Sequence, residues 1–353
     1  MYLSKLAEDI SLFYAEFESV GFLQSVLDSK WTARELKDRM RCITTNLQKY
    51  LPSDFNESIE ILINTAQFRL NQSRWGGGDL VFPDFVEQYG LLHFDKSIAS
   101  LELFTQLSTA EFAVRPFIIA FPEKMMQQML LWASHPNEHV RRLASEGCRP
   151  RLPWGMVIKD LVQNPTPIFP ILELLFHDSS EYVRKSVSNN LNDISKDNPS
   201  EVLEFCKNMR NGKPETERII KHGLRTLLKQ GNAKALNFFN FSKEIEVRDL
   251  SFSLDKAVVK IGEKMQMKLE FSVSENQNIR LEYRIYFSRP GGNLTSKLFH
   301  WTERKISETT HLRLIKNHSF ADVSIRKHYP GEHKVELFIN GNCLADTIFH
   351  LKV

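Results

Sequence analysis

The 353-residue chain lacks most of the features that tie a sequence to a compartment or a cofactor. Its four cysteines, Cys42, Cys148, Cys206 and Cys343, are isolated, with no CxxC pair and no metal-ligand spacing. That points to a reducing cytoplasm and argues against structural zinc, and no cofactor is expected. No apolar run approaches the roughly 20 residues that a membrane span needs. The N-terminal stretch MYLSKLAEDISLFYAEF is acidic early and has no small-residue cleavage site, so it does not read as a signal peptide. Clustered Asp and His ligands of a metal-dependent nuclease are missing, and no lysine stands out as a Schiff-base nucleophile. An excess of one charge is also nearly absent. The net +3 falls entirely in residues 244–353, with 17 Lys+Arg against 14 Asp+Glu, while residues 1–243 hold 29 of each. A nucleic-acid surface in the larger part must therefore come from clustering.

One such cluster is present. Arg141, Arg142, Arg149, Arg151 and Lys159 fall within 19 residues, opposed only by Glu146. The same stretch contains a short helix pattern, His139 to Gly147, with Val140, Leu143 and Ala144 on one face. Gly147 is expected to stop this helix through positive φ. Glu146 then faces the negative end of the helix dipole, which costs ~0.3–1 kcal/mol when exposed. Broken local rules of this kind gather at functional or strained sites. The structural alternative is an ion pair with Arg149 or Arg151.

Length suggests two domains, and the pattern supplies a boundary. Residues 1–243 read as helices. Capping boxes are expected at Thr32/Glu35 and at Ser108/Glu111, and Ser53 or Asp54 should cap the helix ending near Arg69. Trp75 to Asp79 reads as a break. After residue 120 the chain repeats itself: HPNEHVRRLASEG (135–147) resembles HDSSEYVRKSVSNN (177–190), and TERIIKHGLRTLLKQGN (216–232) is a weaker third copy. Aligning Val140, Val183 and Ile219 gives steps of 43 and 36 residues, the period of two-helix HEAT-type units. In that register Glu146, Asn189 and Arg225 are equivalent, as are Gly147, Asn190 and Thr226. From residue 244 onward, about seven short alternating strands separated by turn signals argue for an immunoglobulin-like β-sandwich. Pro290-Gly291-Gly292-Asn293 is one turn, and Asn340-Gly341 predicts a hairpin. With Cys343 its only cysteine, the sandwich should be held by packing. The fold expected is a HEAT-like α-helical repeat solenoid followed by this sandwich.

Several words of the helical part carry a more specific resemblance. ARELKDRM (33–40), FPDFVEQYG (82–90), EFAVRPF (111–117), HVRRLASEG (139–147) and RPRLPW (149–154) resemble the bacterial DNA alkylation repair glycosylases of the AlkC family, HEAT-like-repeat enzymes related to AlkD. The resemblance spans about residues 30–235, and the strand-rich tail is similar to the branch with a C-terminal immunoglobulin-like domain. It implies excision of cationic N-methylated bases, 3-methyladenine and 3-methylcytosine, from duplex DNA. A methylated, positively charged base is already a good leaving group, so little general acid is needed. A carboxylate near C1′ can stabilise the oxocarbenium-like sugar and position water. Matching positions make Glu146 and Glu111 the catalytic carboxylates, with Asp193 in reserve. They make Trp154 an aromatic wall for the cation. Glu111 also has its capping role as a structural alternative, and Trp154 has a core position. Arg115, Arg141, Arg142, Arg149 and Arg151 are the expected phosphate contacts, joined by Asn189 and Asn190. Duplex DNA is the expected partner and a monomer the expected state. A non-catalytic HEAT-repeat scaffold for DNA or protein is the alternative function.

Overall fold

The computed structural model describes residues 2–72, 77–290, 293–322 and 327–353. Trp75 and Gly76 of the expected break, and Gly291 and Gly292 of one expected turn, lie outside the described residues. Contacts divide the chain into two units, Met1–Gly223 and Leu224–Val353. No helix among the described residues is long and apolar enough to cross a membrane.

The first unit is helical throughout, and its core is filled by rings and aliphatic chains. Phe22, Phe82, Phe85, Phe104, Phe117, Trp132 and Phe176 are fully buried, each contributing roughly 1.5–3 kcal/mol of apolar burial. Asp54 caps its helix as expected, accepting from the amides of Asn56 and Glu57 at 2.9 and 3.1 Å. Neither expected capping box forms. Trp31–Ala33 is a separate turn of 3-10 helix before the Leu36–Tyr50 helix. Glu111 lies in a turn four residues ahead of the Arg115–Ala120 helix, and its carboxylate faces side chains instead of backbone amides.

The repeat is visible bond by bond. Asn137 precedes the Glu138–Gly147 helix and Ser180, 43 residues later, precedes the Glu181–Asp197 helix. Arg141 Nη1 donates back to the carbonyls of His135 and Pro136, and Arg184 Nη1 donates to the equivalent carbonyls of Asp178 and Ser179. The Asn137 amide donates to His135 Nδ1 at 3.0 Å, and the Ser180 amide to Asp178 Oδ1 at 2.8 Å. Val140, Val183 and Ile219 are buried in the aligned position. The three second helices pack in sequence, with Pro214–Gly223 against Glu181–Asp197 and the latter against Glu138–Gly147. The third copy is shorter than the register implies. Its helix ends at Gly223, so Arg225 and Thr226 belong to the next helix, Arg225–Lys229. Gly223 allows this helix close to its neighbour, since a Cβ there would lie 2.9 Å from Leu191 Cβ.

Gly147 departs from expectation in the same way. It lies inside the helix, without positive φ, and Cys148 follows it. A Cβ at 147 would stand 2.6 Å from Val114 Cγ2. The glycine is required by packing, not by the turn.

The second unit contains helices Arg225–Lys229 and Ala233–Phe238 followed by eight strands: β1 Val247–Leu254, β2 Val258–Lys260, β3 Lys264–Val273, β4 Gln277–Ser288, β5 Leu294–Ile306, β6 Thr310–Ser319, β7 Gly331–Ile339 and β8 Asn342–Lys352. They form two sheets, ordered β1-β3-β6 and β2-β8-β7-β4-β5. Pairing is antiparallel except for β2 against β8. Alternate residues of both sheets, including Met267, Leu269, Phe271, Leu281, Ile285, Val335, Leu337 and Phe349, make one apolar core. The β7–β8 hairpin turns at Asn340 and Gly341, with φ of 48° and 79°, as a two-residue loop with two positive φ values requires. Cys343 is a free thiol.

Candidate active site

The end of the Glu138–Gly147 helix carries a buried carboxylate where the dipole disfavours one. The cost is offset by two cations and a hydroxyl donor. Arg149 Nη1 donates to Glu146 Oε1 at 2.6 Å, Arg142 Nη2 lies 3.7 Å from the same oxygen, and Ser186 Oγ donates to Oε2 at 2.6 Å. The expected structural partner Arg149 is thus present, whereas Arg151 pairs with Asp197 instead, at 2.6 and 2.8 Å.

The pairing continues in both directions. On one side, Arg142 Nη2 reaches Glu111 Oε2 at 2.8 Å, and Thr109 Oγ1 donates to the same oxygen at 2.7 Å. On the other, Arg149 Nε donates to Asp193 Oδ2 at 2.7 Å, and Lys196 Nζ donates to Oδ1 at 2.8 Å. Glu111, Arg142, Glu146, Arg149, Asp193 and Lys196 therefore form a continuous row of alternating charge. Burial works against the charges of Arg142 and Arg149, but the flanking carboxylates outweigh it and hold both guanidiniums above their ordinary pKa. Tyr182 lies against Arg142, its ring centre 4.8 Å from the guanidinium carbon. The structure brings together the three carboxylates named from the sequence and assigns Arg142 and Arg149 to holding them.

Trp154 lies on the loop that follows. It is 80% exposed, so it is not a core residue, and its φ is +63°. A non-glycine residue at positive φ costs of order 1 kcal/mol or more and persists only where its surroundings fix it.

Besides Arg142 and Arg149, which hold the carboxylates instead of phosphates, three further expected DNA contacts are corrected by the geometry. Arg115 is wholly buried, and its donors are taken up by main-chain carbonyls: Nε by Met156, Nη1 by Gly147 and Arg149, and Nη2 by Pro150. Burial pushes its pKa down to about 10. Asn190 is fully buried, donating to the Ser145 carbonyl at 2.8 Å and to Cys148 Sγ at 3.4 Å. Arg141 is engaged by Asp178 through two bonds, at 2.6 and 3.0 Å, besides its two carbonyls. Arg151 and Asn189 remain near the surface, with Asn189 Oδ1 3.1 Å from His222 Nε2.

Sequence reading missed Thr109, Ser186, Tyr182 and Lys196. Ser186 had a signal: it occupies the repeat position of the core residue Leu143, a polar break in an apolar row. An apolar groove of about 520 Å³, lined by Ile118, Met126, Leu130, Leu161 and Ile171, holds none of the candidate residues.

With this geometry in view, the similarities are specific. Residues 108–227 match the family of DNA alkylation repair enzymes, and residues 248–353 match the C-terminal Ig-like domain of an uncharacterised protein, YhaZ. YhaZ of Bacillus subtilis (strain 168) is 43% identical over 342 residues, covering 96% of this chain and 94% of that protein. The solved structure of Pseudomonas fluorescens alkylpurine DNA glycosylase AlkC, bound to DNA containing an abasic site analog, is 32% identical, with a TM-score of 0.91 over 99% of this chain and 97% of that one. The chain belongs to the AlkC-like DNA alkylation repair family. The block matched to the repair enzymes contains the entire charge row as well as Trp154.

Proposed function

We propose that this protein is a monofunctional DNA glycosylase that hydrolyses the N-glycosidic bond of cationic N-methylated bases, 3-methyladenine and 3-methylcytosine, in duplex DNA. The observation that carries the reading is the row of three carboxylates held at fixed distances by Arg142 and Arg149, together with the exposed Trp154 on the loop after the Glu146 helix. A carboxylate has four lone-pair sites, so Glu146 and Glu111 can accept from their guanidinium and hydroxyl partners and still address a substrate.

The chemistry needs little more. As the bond to the methylated base stretches, positive charge moves from the base onto the deoxyribose. A preorganised carboxylate stabilises that charge as it develops and orients the attacking water. Glu146 takes this role, Glu111 assists through their shared Arg142, and Asp193 fixes Arg149. The exposed indole of Trp154 offers a π face to the cationic base or sugar. Arg151, Asn189 and the exposed Lys185 are the groups assigned to phosphate contact, positioning the duplex without reading its sequence. The AlkC likeness supports this assignment, since that relative is an alkylpurine DNA glycosylase solved on DNA.

The test is release of methylated bases from alkylated duplex DNA, identified by mass spectrometry with chelator present. Glu146→Gln keeps the shape and removes the charge, and is expected to slow release by about 10²–10³-fold, as for loss of one transition-state-stabilising group. Equal release by both proteins moves the central role to Glu111. Binding without release by either makes the solenoid a reader and overturns the enzymatic reading.

A further inference from the structure

Trp154 combines two properties that conflict unless something holds it. Its ring is in solvent, and its backbone adopts a conformation that bulky residues avoid. Two cations from outside the charge row address the main chain around it. Arg115, at the start of the Arg115–Ala120 helix, gathers the carbonyls of residues 147, 149, 150 and 156 into one fork. Lys37, in the first turn of the Leu36–Tyr50 helix, donates to the carbonyl of Trp154 itself across 117 positions of sequence. The same Nζ lies 4.0 Å from the ring centre of Phe112, the residue after Glu111. Arg115 is four residues beyond Glu111. Both cations therefore tie the Trp154 loop to the segment carrying Glu111. Among the described residues, the hydrogen bonds of Lys37 and Arg115 go to main-chain carbonyls and not to Glu111, Glu146 or Asp193.

We propose that Lys37 and Arg115 are positioning residues that fix Trp154 relative to Glu111, and that they act on substrate through the indole. The assignment rests on the glycosylase reading for its consequence and on geometry for its content. Arg115 suits the task because a planar guanidinium can serve several carbonyls in fixed directions, which an ammonium group cannot. Lys37 adds a single bond at the strained residue. Holding a contact group in place is worth much in such reactions, since a misplacement of ~1 Å can cost about a hundredfold.

The rival assignment for Lys37, an exposed lysine, is a direct phosphate contact. A double-mutant cycle separates the two. Lys37→Met is expected to slow base release about tenfold in the wild-type background, mainly through kcat, and to add nothing in a Trp154→Ala background. Arg115→Lys should behave alike, with rescue absent because the fork is lost. If Lys37→Met is equally costly with Trp154 removed, and its cost falls away in high salt, the lysine binds phosphate and the proposal fails. A second readout needs no catalysis. The fluorescence anisotropy of Trp154, obtained by difference against Trp154→Phe, should fall in Lys37→Met and in Arg115→Lys while the circular dichroism stays unchanged. Should wild type release no base, the function reading falls, and the anisotropy alone still decides the positioning. An indole equally immobile in all variants would overturn it.

Discussion

Glu146 shows how a single residue can be both structural and reactive. Its ion pair with Arg149 was foreseeable from spacing, and a sequence argument sets that pair against function. The structure removes the opposition, because a buried carboxylate needs cationic partners before it can be present at all. What the sequence could not show was that Ser186, marked only as a polar break in the next repeat, donates to Glu146, or that Arg151 is diverted to Asp197. Both depend on which helices become neighbours. The buried thiols give a prediction at this scale. Burial pushes Cys148 and Cys206 up to about 12, from an ordinary value of 9.0. Iodoacetamide at pH 8 should therefore label the exposed Cys343 and spare Cys148 and Cys206 until the protein unfolds, as peptide mapping would show. The sign for stability follows from linkage. Above pH 9 the unfolded chain releases these protons while the folded one keeps them, so stability falls as pH rises from 9 towards 12. The loss is up to ~1.4 kcal/mol per pH unit for each thiol. A Cys148→Ala, Cys206→Ala variant, weaker at neutral pH because of its cavities, should close the gap in melting temperature to wild type between pH 8.5 and 10.5. A constant gap would contradict the assignment.

At the scale of the element, the repeat was legible because it is local. Apolar spacing, a polar residue before the helix and an arginine at a fixed position recur at 43 residues, and the arginine recurs with the same hydrogen bonds. The third copy departs from the register at its end, where the helix stops at Gly223 in close approach to Leu191, a tertiary contact that local spacing does not encode. The capping boxes at 32/35 and 108/111 failed for a related reason: the pattern describes how a helix can start, and side-chain partners such as Arg142 compete for the same carboxylate. Gly147 carries the sharpest consequence. Alanine improves helix propensity over glycine by ~1 kcal/mol, so on local grounds Gly147→Ala stabilises. Packing opposes it, since the new methyl would meet Val114 Cγ2 at 2.6 Å and Met129 Cε at 3.2 Å. The methionine can move, but the β-branched valine is stiff, and overpacking of a core costs ~1–3 kcal/mol. Gly147→Ala should therefore lower stability in denaturant unfolding. Combining it with Val114→Ala should cost less than the sum of the single changes. A stabilised Gly147→Ala would show that the helix end yields freely.

At the scale of the whole molecule, the change from helical to alternating pattern near residue 243 was plain, and among the described residues eight strands in two sheets follow it. The division by contacts falls earlier, between Gly223 and Leu224, so the last two short helices share a unit with the strands. Periodicity reports what a segment forms and not which core it joins. Here Gly231 approaches Gly341 closely enough for a Cβ to come within 3.5 Å of the other Cα, a contact no local pattern encodes. The same turn provides a test of whether the two units unfold separately. Asn340 is buried at positive φ, accepts from the Arg280 amide at 2.7 Å, and donates to the carbonyls of Ser242 and Asn278 at 2.8 and 2.9 Å. Asn340→Ala leaves the buried Arg280 amide without its partner at ~1–3 kcal/mol, drops two part-buried bonds to the carbonyls of Ser242 and Asn278, and removes a residue suited to the left-handed region. Since each unit has a core of its own, scanning calorimetry of the full chain should resolve two transitions. Asn340→Ala should move the one that belongs to Leu224–Val353 down by several degrees and leave the other in place. A single transition that shifts as a whole would mean that the units fold as one cooperative body, and that the sandwich stabilises the helices carrying Glu146.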